Sequence, residues 1–110
     1  MTVQNMSERP ESGLLVLVRY KLKEGSIGDF LEELYCGGII EASQAEDGCL
    51  RYQLARPLDD DDALVLTELW RDADAQQAHG LTAHYAALGE LKAKYVTAVE
   101  IEKFDIVPRV

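Results

Sequence analysis

Apolar residues along this chain change period from strand-like to helix-like and back, twice, and the order of those changes predicts the fold. Leu14-Leu15-Val16-Leu17-Val18 begins as a continuous apolar run and becomes an alternation through Arg19, Tyr20, Lys21 and Leu22. That is the pattern of a strand buried on both faces at one end. Glu24-Gly25 turns the chain and Ser26 is placed to cap a helix, in which Phe30, Leu31, Leu34, Tyr35, Ile39 and Ala42 recur at helical spacing. Gly37 and Gly38 interrupt it. Two adjacent glycines cost about 2 kcal/mol of helix propensity relative to alanine, so a kink, or a close approach by sheet or ligand, is expected there.

Gly48 ends the helical region, and Cys49 to Ala55 alternates as a second strand closed by Pro57. The acidic run Asp59 to Asp62 reads as a solvated turn of a hairpin, because no glycine or distal glutamate completes a calcium loop. Ala63 to Trp70 is the third strand. Asp72 can cap a short helix from Ala75 to His79, Gly80 breaks it, and Thr82 can cap a second helix through Tyr95. On that helix Tyr85, Leu88, Leu91 and Tyr95 fall at helical spacing, predicting an aromatic inner face. Thr97 to Val107 forms a last strand whose alternation slips once near Lys103, as a bulge would make it do.

The resulting order β-α-β-β-α-β is the split βαβ, or ferredoxin-like, α+β arrangement: an antiparallel four-stranded sheet with helices on one face. One domain over residues 14–110 is expected, preceded by a flexible tail over residues 1–13 that lacks the apolar core and cleavage site of a secretion signal. Strands one and three carry apolar residues on both parities, so the sheet face away from the helices also requires a cover, and a second copy of the chain is the natural one.

Composition narrows the partners. A formal charge of −9 with scattered Lys and Arg excludes phosphate-backbone and anionic-membrane binding, and no apolar run is long enough to span a bilayer. Cys36 and Cys49 stand outside any metal or redox spacing and read as two buried thiols of a cytoplasmic protein.

Gly25 after the first strand, Glu46-Asp47-Gly48-Cys49-Leu50-Arg51-Tyr52, Glu68-Leu69-Trp70, Ala78-His79 and Thr82-Ala83-His84 come in an order and spacing that resembles the antibiotic biosynthesis monooxygenase (ABM) family over residues 14–105. The resemblance implies a homodimer in which two sheets meet as an α+β barrel, with C₂ symmetry. It also implies oxidation of an electron-rich quinol or polyketide-like aromatic by dioxygen without a prosthetic group. The absence of a dinucleotide fingerprint or phosphate loop fits this. Haem-degrading relatives carry an asparagine where this chain has Val18 and a histidine near Gly89, so only Trp70 matches their three residues and haem degradation is not expected.

Glu68 and Trp70 share one face of the third strand. In an apolar wall Glu68 can serve as acid or base, or can instead pair with Arg19 or Arg51. Trp70 offers a flat surface for an aromatic substrate. His79 and His84 are a proton acceptor or substrate contact, or structural hydrogen-bonding groups. They are not at the i, i+4 spacing of a helical metal pair, and no further ligand is placed to complete a shell, so no metal is expected. Tyr52, Tyr85 and Tyr95 can add hydroxyls to the same cavity, and Arg19 a substrate contact. Two alternatives stand beside the oxygenase. One is an isomerase of a small hydroxyketone, phosphorylated or not, with Arg19, Lys21 and Arg51 as the candidates for a phosphate clamp; the other is a dimer that binds an aromatic ligand without turnover.

Overall fold

Strand β1 (Gly13–Leu22) runs between β3 (Ala63–Trp70) and β4 (Val96–Ile106), and β2 (Cys49–Ala55) adds to the far side of β3, giving an antiparallel sheet in the order β2-β3-β1-β4. Helices α1 (Ile27–Cys36) and α2 (Ile39–Gln44) follow β1, and α3 (Ala73–His79) and α4 (Ala83–Tyr95) follow β3. The computed structural model describes residues 12–109, so most of the expected tail lies outside it, and Gly13 already belongs to β1. The expected ferredoxin-like α+β fold is present.

Period-two alternation decides what is buried. Val16, Val18, Tyr20 and Leu22 of β1, Tyr52 of β2, and Leu64, Leu66 and Trp70 of β3 point to one side, where Phe30 and Leu34 of α1, Ile39 and Ile40 of α2 and Leu88 of α4 cover them. Each fully buried large side chain contributes roughly 1.5–3 kcal/mol. Leu15, Leu17, Val65 and Leu69 point to the other side and stay partly exposed.

Some expectations need correction. The glycine pair does more than kink a helix: Gly38, at φ +70°, separates α1 from α2 and caps the latter. Register runs unbroken from Gly13 opposite Ile106 to Lys21 opposite Ala98, so there is no bulge at Lys103; the irregularity falls between Lys21 and Leu22. The alternation in the sequence slips because Val99 and Ile101 are the apolar residues of one face, whereas Phe104 and Ile106 are those of the other. Cys36 is exposed and Cys49 half-buried; Cys36 lies two residues past Leu34, about 200° around the helix from its buried face. Tyr35, about 100° around from Leu34, is also exposed, and of the expected inner face of α4 only Leu88 is buried.

The acidic turn is also more than solvated. Asp59 pairs with Arg19 at 3.2 Å and Asp60 with Lys21 at 2.7 Å, while Asp62 accepts the Gly25 N–H at 3.0 Å, tying the β2–β3 loop to the end of β1 and to the turn that follows it.

Candidate active site

Glu68 sits in the sheet with 7% of its surface exposed, and two residues on, over the same face, the Trp70 indole N–H donates to its Oε1 at 2.9 Å. Burial raises the Glu68 pKa above the ordinary carboxylate value; the Trp70 N–H, His79, Lys103 and Lys92 pull it back without cancelling the rise. A carboxylate so placed is a stronger base than one in water.

His79 is brought over this pair by short-range signals. Asp72 accepts the Ala75 N–H at 2.8 Å and starts α3 directly after β3, so that the last turn of the helix returns above Trp70, with ring centroids 4.8 Å apart. The Thr82 hydroxyl donates to the His79 carbonyl at 2.8 Å and accepts the Tyr85 N–H at 3.1 Å, ending one helix and capping the next with a single side chain. Tyr85 then stands edge-on to the His79 ring at 5.1 Å.

The partner that sequence reasoning missed is Glu46. It lies in the turn before β2, and its Oε2 is 2.5 Å from His79 Nδ1 and 2.7 Å from His84 Nε2. Gly48 makes this approach possible. Its φ is +87°, and a Cβ there would stand 2.7 Å from Ala75 Cβ, so the turn packs against α3 only without a side chain. The Gly48 carbonyl also accepts the Arg71 N–H at 2.7 Å. The acidic-Gly sequence ahead of β2 was visible as a turn; that its glutamate would reach two histidines of later helices was not, because the contacts span 33 and 38 residues.

An ionised carboxylate only accepts hydrogen bonds, so both facing ring nitrogens carry hydrogen: His79 Nδ1–H and His84 Nε2–H. In the neutral ring this leaves His79 Nε2 as the acceptor, and Nε2 makes no hydrogen bond within the protein among the described residues. Glu46, His79 and His84 also offer three ligand atoms lying within 4.8 Å of one another, which sequence spacing did not reveal. Their closest separations, 2.5 and 2.7 Å, are hydrogen-bond distances. Donors sharing an ion at about 2.0–2.1 Å stand roughly 3 Å or more apart, so an ion would have to spread this group.

His79 and Glu68 open on a cavity of about 110 Å³ between β1, β4 and α4, whose wall includes Tyr20, Tyr52, Tyr85 and Lys92. Burial, reinforced by Glu68, pushes the Tyr20 and Tyr52 hydroxyls well above the ordinary phenol range, so they remain hydrogen-bond donors. Larger hollows of about 390 Å³ on the outer sheet face and about 560 Å³ between α1 and α4 bring together no comparable set of buried polar groups.

Of the residues expected at the site, Glu68, His79, Tyr52 and Tyr85 therefore share one cavity. His84 stands behind His79 and reaches it through Glu46. Trp70 is fully buried behind Glu68 rather than on the cavity wall, and Tyr95 turns its hydroxyl to Glu33 of α1. Arg19 does not join them: it lies on the opposite sheet face beside Asp59, as an odd-numbered position of β1 must when the even ones face the helices.

The sequence pattern of the antibiotic biosynthesis monooxygenase family matches residues 13–91. The chain belongs to this family. A Bacillus subtilis relative named "Putative monooxygenase YcnE" is 32% identical over 73 residues, which are 66% of this chain and 75% of that protein. A crystal structure of an antibiotic biosynthesis monooxygenase, 28% identical, superposes with a TM-score of 0.76 over 86% of this chain and 99% of its own. The Pseudomonas aeruginosa protein PA3566, at 23% identity, shares the fold with a TM-score of 0.80 over 91% of this chain and 99% of its own. The ABM match spans the β1 to α4 segment that carries Glu46, Glu68, His79 and His84.

Proposed function

We propose that this protein is an enzyme that oxidises an electron-rich, single-ring quinol with dioxygen, using its own side chains and no bound prosthetic group, and that it works as a homodimer. Family membership and a relative named as a monooxygenase support the oxygenase class. Cavity size supports the narrower substrate. At about 110 Å³ it resembles an engineered cavity of about 150 Å³ that holds one benzene more than the roughly 300–1,000 Å³ of sites for larger ligands, so one ring suits it better than a polycyclic aromatic.

The observation that carries the reading is the Glu46–His79 bond beside buried Glu68. His79 Nε2 takes a proton from a substrate hydroxyl, while Glu46 holds Nδ1–H and stabilises the imidazolium so formed. The phenolate passes one electron to dioxygen, and the two radicals join through a ring carbon that still bears hydrogen. His79 returns its proton to the peroxide. Glu68 then takes the ring C–H proton, the O–O bond breaks, and the departing hydroxide leaves as water with the proton Glu68 gives up. One quinol and one dioxygen thus yield one hydroxyquinone and one water. Tyr20 and Tyr52 hydroxyls supply donors to oxygen atoms that gain charge.

The dimer rests on the outer face, where Leu15, Leu17, Val65 and Leu69 are only partly covered and Phe104 of β4 is 43% exposed. That band is apolar enough to pack against its own copy. By contrast, Arg19 and Lys21 are engaged with Asp59 and Asp60 on that same face, so the phosphate clamp of an isomerase is not assembled from them.

The test is turnover of hydroquinone by metal- and flavin-free protein under isotopically heavy dioxygen, with products weighed by mass spectrometry. The oxygenase reading expects one heavy atom in the organic product and one in water. A product of unchanged mass would replace it with the isomerase, and binding without any product would replace it with the ligand-binding dimer.

A further inference from the structure

Cationic side chains line a cavity in a chain that is acidic as a whole. Against a formal charge of −9, two lysines line this one cavity: Lys92 on α4 and Lys103 on β4. Lys103 stands on the inner sheet face, opposite Val16, between the inward residues Ile101 and Asp105 of β4. Lys92 Nζ lies 5.9 Å from the Tyr20 ring centre and 5.8 Å from that of Tyr85, two rings of the cavity wall.

Neither lysine is in an ion pair among the described residues, whereas Arg19, Lys21, Arg71 and Lys94 each are. Asp105 shares the inner face of β4 without pairing to Lys103, and Glu100 and Glu102 belong to the opposite face of that strand. Among the described residues Glu68 is the one carboxylate on the cavity wall. Two cations thus stand against one carboxylate on this wall. The volume agrees: about 110 Å³ has room for one ring, so a charged substituent would lie against the lysines of the wall.

We infer that the substrate ring carries a carboxylate, and that Lys92 and Lys103 receive it while the ring lies between Tyr85 and the His79–Glu68 wall. This rests on the quinol reading for what happens to the ring, but not for how the ring binds. The anion fixes which edge of the ring enters first and so which hydroxyl meets His79. Lys92 and Lys103 are specificity residues under this assignment.

The experiment separates binding from chemistry. Trp70, the chain's one tryptophan, donates to Glu68 and stacks near His79, so its fluorescence reports occupancy of the cavity. Benzoate, benzamide and phenyl phosphate, none of which can be oxidised as a quinol, are titrated into the parent, Lys92→Met, Lys103→Met and the double variant, with calorimetry as a second readout. The expected result is benzoate bound about tenfold or more tighter than benzamide at low salt, with the preference shrinking in each single variant and gone in the double. Arginine at both positions should retain it. Equal affinity for benzoate and benzamide, or a preference that survives in the double variant, overturns the inference; tighter binding of phenyl phosphate than benzoate overturns the carboxylate in favour of a phosphorylated ligand. Oxygen uptake is then compared for hydroquinone and a dihydroxybenzoate. Uptake on hydroquinone without benzoate preference would sink this inference alone, whereas lysine-dependent benzoate binding without uptake on either ring would sink the oxygenase reading alone.

Discussion

The two faces of this sheet treat polar side chains in opposite ways. On the outer face Arg19 and Lys21 extend to the periphery and are neutralised there by Asp59 and Asp60. On the helix-covered face Glu68 and His79 remain inside, each held by a designated partner, the Trp70 indole for one and the Glu46 carboxylate for the other. Ion pairs in water contribute little and tolerate replacement. A buried polar group left without its partner costs about 1–3 kcal/mol or more, so the inner set persists only as a complete arrangement. The comparison teaches where chemistry can reside: the face whose polar groups are desolvated, oriented and not fully neutralised by one another.

The contrast can be broken most sharply at Trp70 and Phe104. Trp70→Ala empties a site with no exposed surface and strips Glu68 of its donor, and should lower unfolding free energy by about 3–5 kcal/mol in denaturant titrations. Phe104→Asp, on the outer face, should instead leave the fold intact and shift sedimentation from dimer to monomer. A stable Trp70→Ala protein, or an unchanged sedimentation profile for Phe104→Asp, would remove the distinction.

Gly48→Ala comes next. A Cβ at φ +87° and 2.7 Å from Ala75 Cβ should cost about 1–3 kcal/mol and push Glu46 away from His79. The expected signature is a lower melting temperature together with a fall in kcat at nearly constant KM, since Glu46 acts through His79. Melting behaviour like that of the parent would contradict the packing argument.

Glu68→Gln sharpens the comparison through pH. The folded-state pKa of Glu68 is raised above 4.5 by burial. The folded chain therefore binds this proton more readily than the unfolded one, and the resulting stabilisation is present at low pH and lost as pH rises through the raised value. A glutamine at this position does not titrate, so the variant should gain stability relative to the parent as pH rises through that value and lose the advantage in acid. A difference independent of pH would contradict a buried titrating Glu68. The smallest effect belongs to Arg19→Ala, which should leave both melting temperature and turnover near parental levels, because its ion pair with Asp59 is exposed.

Much of this was legible in the chain. Four alternating or apolar runs and the caps Asp72 and Thr82 were sufficient for element order, because these signals are local. Period two alone put Glu68 and Trp70 on one face of the third strand. What could not be read was long range: Glu46 reaches His79 and His84 through a turn whose packing depends on Gly48, and no spacing in the sequence encodes that contact. Trp70 was expected on the cavity wall because alternation gives a face but not a depth; the return of α3 over the strand covers it completely. The false bulge at Lys103 has the same origin. A lysine on an inner face breaks the apolar pattern without breaking the register, because a cavity rather than core lies in front of it.

The most direct test of the account is oxygen uptake by metal- and flavin-free protein on single-ring quinols, with His79→Ala, Glu68→Gln and Arg19→Ala alongside the parent. Uptake above autoxidation that falls by about 10²–10⁴-fold in the two inner-face variants and persists in Arg19→Ala is the predicted result. Uptake that is absent in the parent, or equal in all four proteins, would contradict a base held on the inner face of this sheet.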